Sequence, residues 1–149
     1  MGKRCLLTLA LVGLMSCLGE AKQWALVAEK SNPTVNLSAA ELTQIFLIKT
    51  RTWPDGTPVI VAVRDMSSAD MQVVVRRVFH MTAIEARTFV ETHHSDIMVA
   101  DSDEAVIRFV SSTRGAIGLI DLYSLTKDIK VIKVDGKLPV EPGYLLRGE

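Results

Sequence analysis

Cysteine is scarce in this chain of 149 residues, which holds only Cys5 and Cys17. Two cysteines are too few for the disulfide framework that holds many small secreted domains together. Both lie near the amino terminus, and the rest of the chain has none. We therefore expect no internal disulfide, no zinc–thiolate site and no cysteine nucleophile in the folded domain.

An excess of charge of one sign is also missing, because 17 Lys and Arg residues oppose 17 Asp and Glu residues. A general nucleic-acid-binding protein needs a basic face to meet phosphates, so this balance argues against nucleic acid as a partner. Hydrophobic residues make up 48% of the chain. Composition and length together predict one globular domain.

The motifs of common catalytic centres are missing as well. The sequence has no Gly-x-Ser-x-Gly elbow, no Walker loop and no paired-histidine zinc motif. His93 and His94 are adjacent, and adjacent residues on a helix do not share a face. No further His or Cys lies at ligand spacing, so we interpret them as solvated residues at a helix end, which the helix dipole favours, and not as a metal site. We expect a protein that is not an enzyme and that needs no cofactor.

The first residues have the pattern of an export signal. Lys3 and Arg4 precede an apolar stretch from Cys5 to Leu18. This stretch is shorter than the roughly 20 residues that cross a bilayer, and it has the length of a signal-peptide core. The sequence therefore predicts a signal peptide over residues 1–21 and a folded domain over residues 22–149.

Two processing routes fit this segment. Gly19-Glu20-Ala21 places small residues at alternate positions, as leader peptidase requires, with cleavage before Lys22. Leu14-Met15-Ser16-Cys17 resembles a bacterial lipobox, in which Cys17 is lipidated and becomes the first residue. Both routes lead to the periplasm, where the protein is either soluble or lipid-anchored.

Capping boxes and apolar runs predict the order of the elements. Ser38–Glu41 and Thr82–Glu85 each open a helix, the first over Ala39 to about Leu47 and the second ending near His93. Further helices are predicted over the apolar stripe from Met71 to Phe79 and after Asp101–Glu104. Strands are predicted at Trp24–Ala28, Pro58–Val63, Ala116–Ile120 and Ile129–Val134. This order indicates an α/β fold in which helices flank a mixed sheet.

Several segments together resemble one protein family, the periplasmic phosphate-binding proteins of ABC transporters. The segments are Leu37–Leu42 with Ile45-Phe46-Leu47, Lys49-Thr50, Trp53-Pro54-Asp55-Gly56, Gly115-Ala116-Ile117-Gly118 and Ile129–Lys137. Full-length members are two-lobed clamshells that close on phosphate. The resemblance implies a single lobe of a periplasmic-binding-protein fold of type II.

The family's ligand motif, Arg-Ser-Asp-Gly-Ser-Gly-Thr, matches the stretch that begins at Arg64. Arginine binds an oxyanion through two hydrogen bonds, and donors at a helix start supply the rest. The resemblance implies Arg64 and Ser68, which match the arginine and the second serine of the motif, as ligands for phosphate, and Ser67 beside them completes the candidate anion site. Alternatively, Ser67 caps the following helix and Arg64 is either solvated or paired with Asp65 or Asp70. Five positions depart from the motif, namely Asp65, Met66, Ser67, Ala69 and Asp70. The motif has glycine where Ala69 stands and a hydroxyl where Asp70 stands.

Three other positions carry weaker signals. Ser31 and Asn32 follow a strand at its carboxyl end, where α/β sheets bind ligands, although a plain turn also explains them. Ile48 stands where members of the family commonly have glycine.

The expected partners follow from the resemblance. They are inorganic phosphate or a similar oxyanion and a membrane permease or sensor, and a homodimer could rebuild a cleft between two lobes. The alternative is a non-catalytic interaction module of the cell envelope that has lost anion binding.

Overall fold

The computed structural model of the chain describes residues 22–148. The predicted signal peptide, its two processing routes and Cys17 lie outside the described residues.

Seven strands and four α-helices make up the described domain. The strands are β1 (Trp24–Glu29), β2 (Asn36–Leu37), β3 (Ile60–Val63), β4 (Ile97–Val99), β5 (Ala116–Asp121), β6 (Ile129–Val131) and β7 (Lys133–Val134). The helices are α1 (Ala39–Phe46), α2 (Gln72–Val74), α3 (Ala83–Thr92) and α4 (Asp103–Ser112). Short 3-10 segments at Ala69–Met71 and Leu122–Ser124 and a π-helical segment at Val75–Phe79 complete the set.

The central sheet has five strands in the order β4-β3-β5-β1-β6. Strands β3, β4 and β5 run parallel to one another, whereas β1 is antiparallel to both of its neighbours. A second sheet pairs β2 with β7 in parallel. The predicted α/β class with a mixed sheet is therefore confirmed.

Helices cover both faces of the central sheet. One face packs against α1, α3 and the π-helical segment in a large apolar cluster. The other face packs against α4, whose Val106 and Val110 contact the strands. Gly118 in β5 permits this close approach, because a Cβ atom there would lie 2.8 Å from Val106 Cγ1.

Both predicted capping boxes are present. The Ser38 hydroxyl accepts from the Glu41 backbone N–H at 3.1 Å, and the Glu41 carboxylate accepts from the Ser38 N–H at 2.8 Å. Thr82 and Glu85 make the same reciprocal pair at 3.2 and 2.8 Å. These contacts satisfy amides that the first turn of a helix leaves without a partner, so local sequence fixes both helix starts.

The strands differ from those predicted from the sequence in three respects. The short strands β2 and β4 were not predicted, since two or three residues carry no clear periodicity. The single strand expected over Ile129–Val134 is in fact two strands, because the Ile132 N–H donates to Leu26 O and the chain then leaves the central sheet.

The helix expected from Met71 to Phe79 is irregular. It is divided into 3-10, α and π segments. Val73, Val74 and Val75 are all buried, so this segment is enclosed around most of its circumference rather than along one stripe. Three consecutive β-branched residues also crowd an α-helical turn.

Candidate functional site

The parallel strands bring several polar residues to one edge of the central sheet. Arg64 follows β3, Asp101 lies two residues after β4, and Asp121 ends β5. Because these strands are parallel, their carboxyl ends meet, and α/β sheets bind ligands at this position. We call the segments 64–68, 100–103 and 121–124 the carboxyl edge.

Arg64 is held at this edge by a buried aspartate. Its Nη1 donates to Asp103 Oδ1 at 2.7 Å, and its Nη2 donates to the Asp101 carbonyl at 3.1 Å. The Arg64 side chain is 27% exposed and that of Asp103 is 11% exposed. The guanidinium is thus fixed in one orientation while part of it remains open to solvent.

Asp103 joins three segments of the edge. Its second carboxylate oxygen accepts from the Asp121 N–H at 3.1 Å and from the Ser124 hydroxyl at 2.7 Å. Asp103 is also the first residue of α4, where the helix dipole favours a carboxylate. The sequence did not reveal that Asp103 links these segments. Acidic residues are common in the first turn of a helix, so the helix start after Ser102 was a sufficient explanation for Asp103.

The hydroxyl groups of Ser67 and Ser68 differ in their hydrogen bonds. The Asp65 carboxylate accepts from both the N–H and the hydroxyl of Ser67, at 2.9 and 2.7 Å. Ser68 is the N-cap residue of the 3-10 segment, and its side chain makes no capping hydrogen bond. Of the two hydroxyls, that of Ser68 is therefore the better placed to donate to a ligand.

The hydrogen bonds from Ser67 lower the pKa of the Asp65 carboxyl, with a smaller contribution from Arg87. The folded-state pKa is below the unfolded value of about 3.9, so the stabilisation is present above that pH. It is lost as pH falls through the folded-state pKa. We expect Ser67→Ala to raise the Asp65 titration midpoint, as followed by NMR of its carboxyl carbon. An unchanged midpoint would contradict this assignment.

Arg64 is not neutralised by either aspartate proposed from the sequence. Asp70 pairs instead with Lys22 at 2.8 Å, and Asp65 is bound to Ser67. The neutralising residue is Asp103, which lies 39 positions further along the chain. Arg64 is therefore paired with an aspartate, but with neither of the two that were named from the sequence.

Ser31 and Asn32 lie at the opposite end of the sheet from Arg64. Strand β1 is antiparallel to β5, with Trp24 opposite Asp121 and Ala28 opposite Ile117. The carboxyl end of β1 therefore lies beside the amino end of β5, about 20 Å from the carboxyl edge for a strand of this length. Ser31 and Asn32 cannot act on the same ligand as Arg64.

Asn32 has a structural role where it stands. Its Oδ1 accepts from the Thr34 N–H at 2.9 Å, and its carbonyl accepts from Lys130 Nζ. This is the turn that sequence analysis gave as the alternative to a ligand site.

His93 and the two tryptophans have packing roles in the structure. His93 Nδ1 contacts the Phe89 carbonyl at 2.8 Å, and its ring stacks on Phe89. Within residues 22–148, no group of three His, Cys, Asp or Glu residues is placed to hold a metal ion. Trp24 and Trp53 are buried, and each donates its indole N–H to a backbone carbonyl.

The described domain is a five-stranded mixed sheet with helices on both faces. No family model matches the chain, and no curated protein matches it significantly. None of the helices in the described part is long and apolar enough to cross a membrane.

Several solved structures of phosphate-binding proteins have a fold similar to that of this chain. An ABC-type phosphate transport receptor from Vibrio cholerae matches with a TM-score of 0.68 and 19% identity, over 87% of this chain and 55% of that one. PstS from Borrelia burgdorferi matches with a TM-score of 0.70 and 19% identity, over 87% of this chain and 56% of that one. A phosphate-binding protein from Stenotrophomonas maltophilia matches with a TM-score of 0.64 and 18% identity, over 80% of this chain and 41% of that one.

The chain spans about half the length of these solved structures. It has the fold of a phosphate-binding-protein-like domain and corresponds to a single lobe. The resemblance drawn from the sequence is therefore confirmed at the level of the fold.

Proposed function

We propose that this chain is an exported, non-enzymatic lobe that binds phosphate or a similar oxyanion through Arg64, in the service of ABC-type phosphate uptake or sensing. The observation that carries the proposal is the guanidinium of Arg64, fixed at the carboxyl edge and partly exposed. The fold supports it, because the solved structures with this fold include phosphate transport and phosphate-binding proteins.

The geometry of Arg64 suits a weak oxyanion site. A guanidinium has five N–H donors, and two of those of Arg64 are hydrogen-bonded within residues 22–148. Two charge-assisted hydrogen bonds from the remaining donors, at about 2 kcal/mol each, correspond to a Kd of about 1 mM. Asp103 keeps the guanidinium plane fixed, but its negative charge opposes an anion, so high affinity needs groups from a second lobe.

The proposed location and partners follow from the predicted export signal and the family resemblance. We place the protein in the periplasm, either free after cleavage before Lys22 or anchored through a lipid on Cys17. Its proposed partner is a membrane permease or sensor. A homodimer that places two lobes face to face is a further assembly that would complete a cleft.

A second candidate function is a non-catalytic interaction module that has lost anion binding. The observation in its favour is the concentration of carboxylates around the single guanidinium of the carboxyl edge, from Asp65, Asp101, Asp103 and Asp121. These negative charges repel phosphate and would attract a basic surface of another protein.

Calorimetric titration separates the two functions. We expect phosphate to bind the purified protein with a Kd of about 1 mM in a low-salt buffer, and Arg64→Ala to abolish the heat. Arg114→Ala is a matched control, because Arg114 lies 3.4 Å from the carboxylate of Asp55 at the other end of the sheet. Absence of heat from the unaltered protein at 10 mM phosphate, or equal binding by Arg64→Ala, would favour the interaction module.

A further inference from the structure

A groove runs along β2 at the end of the sheet remote from Arg64. Its volume is about 790 Å³. One wall is the continuous segment Pro33–Leu37, and the other is formed by residues between Thr50 and Gly56. Glu41 and Ile45 of α1 close it. We call this feature the β2 groove.

The wall formed by β2 presents an open strand edge. The carbonyls of Val35 and Leu37 accept from Lys133 and Asp135 on the β7 side. Successive residues of a strand turn their backbone groups to opposite edges, so the N–H and C=O of Asn36 face away from β7. Within the described part of the chain, neither of these groups has a hydrogen-bond partner, and Asn36 is exposed.

The floor of the groove is apolar. The buried side chains of Leu37, Ile45 and Trp53 line it, and Val35, which is 70% exposed, stands at its rim. A bound segment could therefore place alternate side chains on an apolar surface while its backbone pairs with β2.

The charged residues that line the groove and the small cavity beside it are mainly acidic. Glu41 is the charged residue among those that line it, and a small adjoining cavity of about 10 Å³ is lined by Glu29, Asp55 and Arg114. Arg114 lies 3.4 Å from Asp55, whereas Glu29 Oε1 is buried without a hydrogen-bond partner in the described residues. Acidic residues outnumber basic ones in these two linings, so the charge of the site is complementary to a cation.

We propose that the β2 groove binds an extended, basic peptide segment of a partner protein. One residue of that segment would exchange two backbone hydrogen bonds with Asn36, as in an added β-strand. Its apolar side chains would contact Leu37 and Ile45. Its basic side chains would face the carboxylate of Glu41.

Peptide titration tests this proposal by following tryptophan emission, because Trp53 lies in the groove whereas Trp24, the second tryptophan, does not line it. The probe is an acetylated and amidated hexapeptide of alternating Val and Lys. We expect a saturable change below about 1 mM. Two control peptides are expected to bind at least tenfold more weakly: the Val-Glu counterpart, and a Val-Lys peptide N-methylated at alternate residues so that it cannot pair as a strand.

Matched variants test whether the peptide binds in the β2 groove. Thr52→Arg puts bulk and positive charge on the exposed wall, and we expect at least a tenfold loss of Val-Lys binding. Thr88→Arg, on the exposed face of α3, should leave it unchanged. Arg64→Ala should also leave it unchanged, which makes the result independent of phosphate binding.

Several results would overturn the proposal. They are no response at 5 mM peptide, equal binding of the Val-Glu or N-methylated peptide, or equal binding by Thr52→Arg. Sedimentation of the free protein provides a last test. A homodimer that Thr52→Arg dissociates would show that a second copy of this chain, and not a partner's peptide, fills the groove.

Discussion

Replacing Asp103 by alanine is expected to lower the free energy of unfolding by about 3 kcal/mol. The substitution removes the acceptor of three hydrogen bonds, from Arg64, Asp121 and Ser124. Bonds to a charged group are worth about 1.5–3 kcal/mol each, and the partly buried guanidinium would lose its counter-charge. Exposure of part of Arg64 to water limits the loss to the stated value. Urea unfolding followed by circular dichroism measures it.

The neighbouring Asp101 provides the control for this substitution. Asp101 contacts Arg64 through its backbone carbonyl, and its side chain is exposed. Asp101→Ala should therefore change stability by no more than about 0.5 kcal/mol. Equal effects of the two substitutions would contradict the account of Asp103 as the residue that joins the carboxyl edge.

Replacing Gly115 by alanine is expected to destabilise the fold by about 4 kcal/mol. Gly115 has a φ of +84°, and an added Cβ would lie 2.1 Å from the Pro58 carbonyl oxygen. The left-handed conformation costs a residue with a Cβ about 1–2 kcal/mol, and relieving the overlap adds about 1–3 kcal/mol. Moving the backbone would also disturb the Gly115 carbonyl, which accepts from Trp53 Nε1 at 2.9 Å and from the Ile60 N–H at 3.3 Å.

Gly56 separates the two contributions. Its φ is +85°, close to that of Gly115, but an added Cβ would meet nothing within 4 Å. Gly56→Ala should therefore cost only the conformational part, about 1–2 kcal/mol. Thermal unfolding of both variants gives the difference. If Gly115→Ala were no more destabilising than Gly56→Ala, the close contact with Pro58 would not exist in solution.

Elements with strong local signals were predictable from the sequence. The start of α1 at Ala39 and that of α3 at Ala83 follow from capping boxes, whose partners lie three residues apart. Strands β1 and β5 follow from uninterrupted apolar runs. In each case the determining contacts lie within the element or next to it.

Elements that depend on distant partners were not predictable. Strand β2 has two residues and exists because β7, almost a hundred residues later, pairs with it. Strand β4 has three residues and is defined by its pairing with β3. Neither strand is long enough to show a period of two, so only the tertiary structure reveals them.

The structure explains how isoleucine can replace glycine at position 48. Ile48 follows the C-cap residue of α1 and has a φ of +58°, a conformation that glycine adopts without strain. The phosphate-binding proteins that the sequence resembles commonly have glycine at this position, whereas isoleucine tolerates the conformation poorly. Burial of the isoleucine side chain in the main apolar cluster offsets that strain.

The candidate site was predictable only in part. Placing Arg64 at the end of a strand needed nothing beyond the apolar run before it. Its partner Asp103 could not be identified, because that contact depends on the parallel packing of β3, β4 and β5. The separation of Ser31 and Asn32 from Arg64 depends on the antiparallel direction of β1, which the order of elements along the chain does not specify.

The central claim is that Arg64 at the carboxyl edge contacts an oxyanion. The most direct measurement is the ¹⁵N–¹H NMR signal of the Arg64 Nε–H group during titration with phosphate, assigned by its loss in Arg64→Ala. We expect this signal to shift in a saturable manner with a midpoint of about 1 mM. A signal unmoved at 10 mM phosphate, or a shift no larger than that of the Arg114 Nε–H group, would contradict the claim.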